Sequence, residues 1–193
     1  CLLSRGLGDV YKRQVMVIKN QEYPIVRALM EDSKHRLWVA WSGESDNGKS
    51  IGEVCIYNLD GKLTKRLDVD YVVYSIFEDD AHNIWLGTRY DGVVLLSEKI
   101  NGSFDIYHYT AGEDVGTLSH DYVYGISQDS NGRMWLATLG GGINIVENGY
   151  EVDKLRFYVP EKYPLKDHSR TRAILESDGY MLIGSDNGML RAK

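Results

Sequence analysis

The sequence is poor in the residues that mark the common specialised classes of protein. It holds two cysteines among 193 residues, so no disulfide framework is implied. One is Cys1. The other, Cys55, sits in the strand pattern Glu53-Val54-Cys55-Ile56-Tyr57, which reads as a small buried apolar residue rather than a nucleophile. Lys and Arg form no cluster, and the formal net charge is −6; both argue against nucleic-acid binding, which needs a basic face. Uninterrupted apolar runs are as short as Val93-Val94-Leu95-Leu96, against the roughly 20 residues of a membrane span. No charged, then apolar, then small-residue stretch reads as a signal peptide. H-E-x-x-H, C-x-x-C and G-x-S-x-G are absent from the sequence, so a zinc site and a serine nucleophile elbow lack support. The 43% hydrophobic fraction is ordinary for a globular protein and argues against disorder.

What the sequence does contain is repetition. VYGISQDSNGRMWLATLGGGINIV, from Val123 to Val146, reads as strand, tight turn, strand, glycine-rich turn, strand. Related stretches begin at Ile25, Val72 and Thr171, and their landmark residues are Trp38, Trp85, Trp135 and Leu182. Units of roughly 40–50 residues with several short strands each are the mark of propeller blades. The expected fold is all-β: a propeller segment of about three and a half four-stranded antiparallel blades forming an open arc.

The blades are expected over residues 25–69, 70–110 and 111–160, with a truncated blade over 161–193 and an outer strand of a preceding blade over 15–24. Residues 1–14, CLLSRGLGDVYKRQ, show neither strand nor helix periodicity. They resemble translated adapter read-through and are set aside as non-native. In the first blade Ser42–Gly52 reads as an insertion, and in the third Leu155–Val159 reads as the outer strand.

Stacking the repeats aligns small residues. Ala28, Ser75, Gly125 and Ala173 share one place on the first strand; Ala40, Gly87, Ala137 and Gly184 share one on the second. Innermost propeller strands converge on an axis, where room for side chains is least. On the second strand the residues on both sides are apolar, so both faces of each sheet are expected to be buried, as in blades stacked side by side.

Several motifs have plain structural readings. Asp129-Ser130-Asn131-Gly132 lacks the Glu that would complete a calcium loop and reads as a hairpin turn. Gly140-Gly141-Gly142 is followed by no helix, so it reads as a strand connection rather than a phosphate cradle. His35 and His82 occupy matching turn positions, while His108, His120 and His168 are scattered. No catalytic residue, metal site or cofactor is expected. A ligand, if bound, falls to the face that gathers the connections after the second strand and between blades. That face holds Arg89, Tyr90, Asp91, His120, Asp121, Tyr122, Asp186 and Asn187, a mixture able to stack on and hydrogen-bond a sugar.

In the third repeat, HYTAGEDVGTLSHDYVYGISQDSNGRMWLATLGGGINIV resembles the two-component regulator propeller repeat, and IFEDDAHNIWLGTRYDGVVLL does so in the second. The resemblance departs at Trp41 and at Leu182. It implies the periplasmic sensor region of a hybrid two-component histidine kinase, anchored in the inner membrane and dimeric, that detects glycan-derived oligosaccharides and controls glycan-utilisation genes. Further blades of the same chain would then be partners of this segment, and the segment itself would touch no nucleic acid. A streptogramin-lyase-type propeller enzyme and a protein-interaction scaffold are the alternatives.

Overall fold

A computed structural model describes residues 17–67 and 69–193; the reading of residues 1–14 lies outside them. Each repeat folds as an antiparallel sheet whose strands follow chain order. The first blade comprises β1 (Ile25–Glu31), β2 (Leu37–Glu44), β3 (Ser50–Tyr57) and β4 (Leu63–Leu67). The second comprises β5 (Val73–Glu78), β6 (Ile84–Thr88), β7 (Val93–Glu98) and β8 (Phe104–Tyr109). The third has β9 (Val123–Gln128), β10 (Met134–Thr138) and β11 (Gly142–Val146). A one-turn helix, α1 (Leu165–His168), precedes β12 (Thr171–Ser177), β13 (Tyr180–Ser185) and β14 (Gly188–Ala192) of the fourth. The innermost strands β1, β5, β9 and β12 lie side by side in that order.

The two columns of small residues are cross-strand partners. Ala28 pairs with Ala40, Ser75 with Gly87, Gly125 with Ala137, and Ala173 with Gly184. Their smallness lets the next blade approach. A Cβ on Gly87 would sit 2.9 Å from the Val123 carbonyl oxygen of the third blade, and one on Gly125 would sit 3.3 Å from Ile174 of the fourth. Three apolar layers separate the four sheets. Trp38, Val54 and Ile56 pack on Val73, Leu86 and Val94. Trp85, Val93 and Leu95 pack on Val123, Met134 and Leu136. Trp135, Ile143 and Ile145 pack on Met181 and Ile183.

In the first three blades the turn between the first two strands is fastened to the tryptophan. The indole N–H groups of Trp38, Trp85 and Trp135 donate to Asp32, Asp79 and Asp129 at 2.7, 2.7 and 2.9 Å. The other carboxylate oxygen of each Asp accepts two backbone N–H groups of its own turn. Arg36 and Arg133 add a side-chain bond to Asp32 and Asp129, each at 2.7 Å. In the second blade Asn83 stands in the arginine's place, and the Tyr150 hydroxyl donates to Asp79 instead. The indole N–H and the carboxylate carried inward at each of these turns are thereby matched, as burial requires.

Three local expectations are corrected. Of the outer strand expected over 15–24, residues 15 and 16 lie outside the described residues and 17–24 form no strand; Ile18 and Tyr23 pack over Val39, Trp41, Cys55 and Tyr57 of the first blade. The Ser42–Gly52 stretch is mostly sheet, because β2 and β3 stay paired out to Glu44 and Ser50 and a tight turn with Gly48 at φ 75° closes them. Leu155–Val159 is not a strand. Phe157 N–H is donated to the Gly116 carbonyl and Leu155 N–H to the Tyr109 hydroxyl, which leaves one isolated bridge between Tyr158 and Ile145. The α1 turn had no counterpart in the sequence reading. Cys55 is buried as expected; burial, and then the Glu53 carboxylate, push its thiol up to about 11, so it stays protonated.

Candidate functional site

The first strand of every blade carries a β-bulge at one place. The register of β1 slips between Val26 and Ala28, that of β5 between Val73 and Ser75, that of β9 between Val123 and Gly125, and that of β12 between Thr171 and Ala173. The extra residues are Arg27, Tyr74, Tyr124 and Arg172, each just before the small residue at the axis. A bulge frees one residue from the pairing and re-aims its side chain. Here it sets large polar and aromatic groups beside the ends of the second strands, on the face that holds the connections leaving them.

These residues gather others. The rings of Tyr74, Tyr122 and Tyr124 lie within 5.2–5.7 Å of one another, centroid to centroid, and Tyr90 joins at 5.6 Å from Tyr122. Three guanidinium groups rim the cluster. Arg27 lies over Tyr74 at 5.3 Å, Arg89 over Tyr90 at 5.0 Å and Arg172 over Tyr124 at 5.9 Å. Burial, and then the Tyr74 hydroxyl, push the Tyr122 phenol up to about 12, so it remains a neutral donor and acceptor. Asp186 accepts from both Arg172 and Arg170, which hold its carboxyl down at about 2. Beside Arg89 opens a cleft of about 450 Å³, lined by Ser50, Asp70, Tyr71, Tyr90 and Asp91 among others. The Arg89 guanidinium reaches Ser50, beside the turn that closes the first blade's long hairpin.

Of the residues singled out in the sequence, Arg89, Tyr90 and Tyr122 fall in this cluster, and Asp186 joins it through Arg172. The rest have local work. Asp91 N–H donates to Thr88 Oγ1, and its carbonyl meets His108. His120 Nδ1 accepts from Tyr122 N–H, and its ring lies against Gly140. The Asp121 carboxylate accepts from Ala111 N–H, and Asn187 N–H donates to the Ser185 hydroxyl. Sequence reasoning missed Arg27, Tyr74, Tyr124 and Arg172. The signal was present one place before the small column, where every repeat has an Arg or a Tyr. Strict two-residue alternation hides it, because a bulge breaks that alternation. The arrangement can stack a flat apolar face on the tyrosines and offer charged donors around it.

Blades of this kind, closing on a polar aromatic mouth, define the class as a β-propeller segment. Two stretches, residues 68–90 and 117–140, match the family described as "Two component regulator propeller"; they fall in the second and third blades. The matched stretches run from the connection between blades to the end of the second strand. They therefore hold both the Asp–Trp fastening and the bulged tyrosine. No curated protein matches the sequence.

Three solved structures share the fold. The extracellular domain of BT3049, assigned to a hybrid two component system of B. thetaiotaomicron, has a TM-score of 0.56 at 17% identity over 94% of this chain and 30% of its own. Virginiamycin B lyase from Staphylococcus aureus, with quinupristin, has a TM-score of 0.59 at 18% identity over 92% of this chain and 58% of its own. PorZ, a surface component of the type-IX secretion system of Porphyromonas gingivalis, has a TM-score of 0.58 at 15% identity over 88% of this chain and 26% of its own. The chain thus spans from about a quarter to somewhat over half the length of these structures.

Proposed function

We propose that this arc is the ligand-sensing part of a two-component signalling protein and that its ligand is an oligosaccharide released from a complex glycan. The regulator-propeller repeats support the signalling context. The observation that carries the ligand reading is the four-tyrosine cluster, in which the bulge residues Tyr74 and Tyr124 meet Tyr90 and Tyr122, rimmed by guanidinium groups and the Asp186 carboxylate. Aromatic faces stack on the C–H face of a sugar, and the rim groups hydrogen-bond its hydroxyls. Tyr74 and Tyr124 are the floor in this reading. Tyr90 and Tyr122 extend it, and Arg27, Arg89, Arg172 and Asp186 form the rim.

The rest of the proposal follows the resemblance. The segment works in the periplasm beside further blades of its own chain, in a dimeric parent anchored in the inner membrane. Ligand capture there controls a histidine kinase, a phosphorelay and the transcription of glycan-utilisation genes, while the segment performs no catalysis. The lyase shares the fold. Its likeness, at 18% identity, is one of fold alone.

Titration calorimetry of the 193-residue chain against size-fractionated glycan digests tests the sugar. Tyr124→Ala is expected to weaken binding by about tenfold, an effect of the order that lost stacking accounts for. Unchanged affinity in Tyr74→Ala and Tyr124→Ala would remove the cluster from the binding reading.

A further inference from the structure

We infer that the mouth selects saccharides bearing an anionic group, a carboxylate or a sulfate, over neutral ones. The inference rests on the oligosaccharide reading and sharpens it. The chain has a formal net charge of −6, and among the described residues three arginines outside the mouth have carboxylate partners, while Arg156 and Arg191 form no ion pair. Arg36 holds Asp32 and Glu98, Arg66 holds Glu53, and Arg133 holds Asp129. At the mouth, Arg170 and Arg172 share Asp186. Arg27 and Arg89 differ. Among the described residues neither forms an ion pair, and each reaches only a hydroxyl: Arg27 Nε donates to Ser42 Oγ at 2.9 Å, and an Arg89 terminal nitrogen donates to Ser50 Oγ at 3.0 Å.

Arg89 also keeps a buried Nε–H with no acceptor among the described residues. A buried donor without a partner is costly unless a ligand supplies one. Asp70 and Asp91 line the cleft beside Arg89, with Lys49 in the same wall, so the cleft itself carries both signs. The two arginines reach the tyrosine cluster through different blades. Arg27 lies over Tyr74, and Arg89 over Tyr90, which meets Tyr122. An anion on a sugar stacked on the tyrosines would complete the unused guanidinium forks, which suit carboxylate and sulfate geometry.

The test is an array of oligosaccharides in matched sets, each backbone present uncharged, carboxylated and sulfated, probed with the 193-residue chain; hits are followed by calorimetry. Charged members should bind at least about tenfold tighter than their uncharged counterparts. The advantage should shrink as salt is raised. It should fall further in Arg27→Gln/Arg89→Gln and be partly kept in Arg27→Lys/Arg89→Lys. The carboxylated and sulfated arms identify which anion is preferred. Equal or better binding of the uncharged members overturns the inference while leaving the oligosaccharide reading standing. An advantage that survives Arg27→Gln/Arg89→Gln, in a variant whose circular dichroism is unchanged, also overturns it, as does full competition by inorganic sulfate at equal concentration. Binding to no member of the array overturns both readings together.

Discussion

The first three blades and the fourth solve the same turn in two ways. In the first three, an Asp accepts the indole N–H and two turn N–H groups, and a residue after the turn helps hold it. In the fourth, by register, Ser177 stands in the Asp position, Tyr180 in the Arg or Asn position and Leu182 in the Trp position. The connection is one residue shorter, an Asp178-Gly179 hairpin with φ 51° and 76°, as a two-residue turn of that type needs. All of these differences occur together. A tryptophan without the aspartate would bury an unpaired N–H, and an aspartate without the tryptophan would lose a donor. The fastening behaves as one unit that a blade either has or lacks.

Removing Trp85 should have the largest effect. It is fully buried between the second and third blades, and Trp85→Ala should cost about 3–5 kcal/mol. Leu182→Ala in the half-buried place of the fourth blade should cost clearly less, measured by chemical denaturation of each variant. If the two costs are equal, the blades do not differ as described. Next comes Asp129→Ala, which strands the Trp135 indole, the Arg133 guanidinium and two turn N–H groups; about 3 kcal/mol is expected. Ser177→Ala should be nearly neutral.

The pH dependence is smaller and has a definite sign. Burial alone would raise the Asp32 and Asp129 carboxyls, but hydrogen bonds from the tryptophans and from Arg36 and Arg133 bring both below the usual carboxylate range. A depressed carboxyl stabilises the fold above its unfolded value, about 4, and loses that contribution as pH falls through the folded value. The unfolding midpoint should therefore drop on acidification below about pH 4. Asp32→Asn/Asp129→Asn should flatten that slope in a thermal scan. The smallest effect concerns backbone strain. His35 and His82 sit at φ 57° and 62°, where the third blade has Gly132 at 79°. His35→Gly should shift stability upward by less than about 1 kcal/mol, and a loss instead would show that the His35–Glu31 pair outweighs the strain.

Much of the frame was legible because it rests on period-two alternation and on volume. Trp38, Trp85 and Trp135 announced equivalent places, and Ala28, Ser75, Gly125 and Ala173 announced a crowded axis. Three kinds of feature were not legible. Outer-strand pairing in the third blade depends on distant acceptors, such as the Gly116 carbonyl that takes the Phe157 N–H, which no local pattern encodes. The long first hairpin looked like a loop because Ser, Asp, Asn and Gly fill it, yet β2 and β3 hold it in register. The mouth was half seen. Tyr90 and Tyr122 lie in loops, where polar aromatics stand out, whereas Tyr74 and Tyr124 hide inside strands until the bulges turn them out of the ladder.

Those bulges separate the paired ladder from the residues that line the mouth. Each innermost strand lends a single residue to the opening, and its neighbours carry the load on either side. A change of letter there, Arg for Tyr or the reverse, rewrites one blade's share of the surface and leaves the scaffold alone. Such a mouth can be retuned one blade at a time, as a combination lock is reset dial by dial.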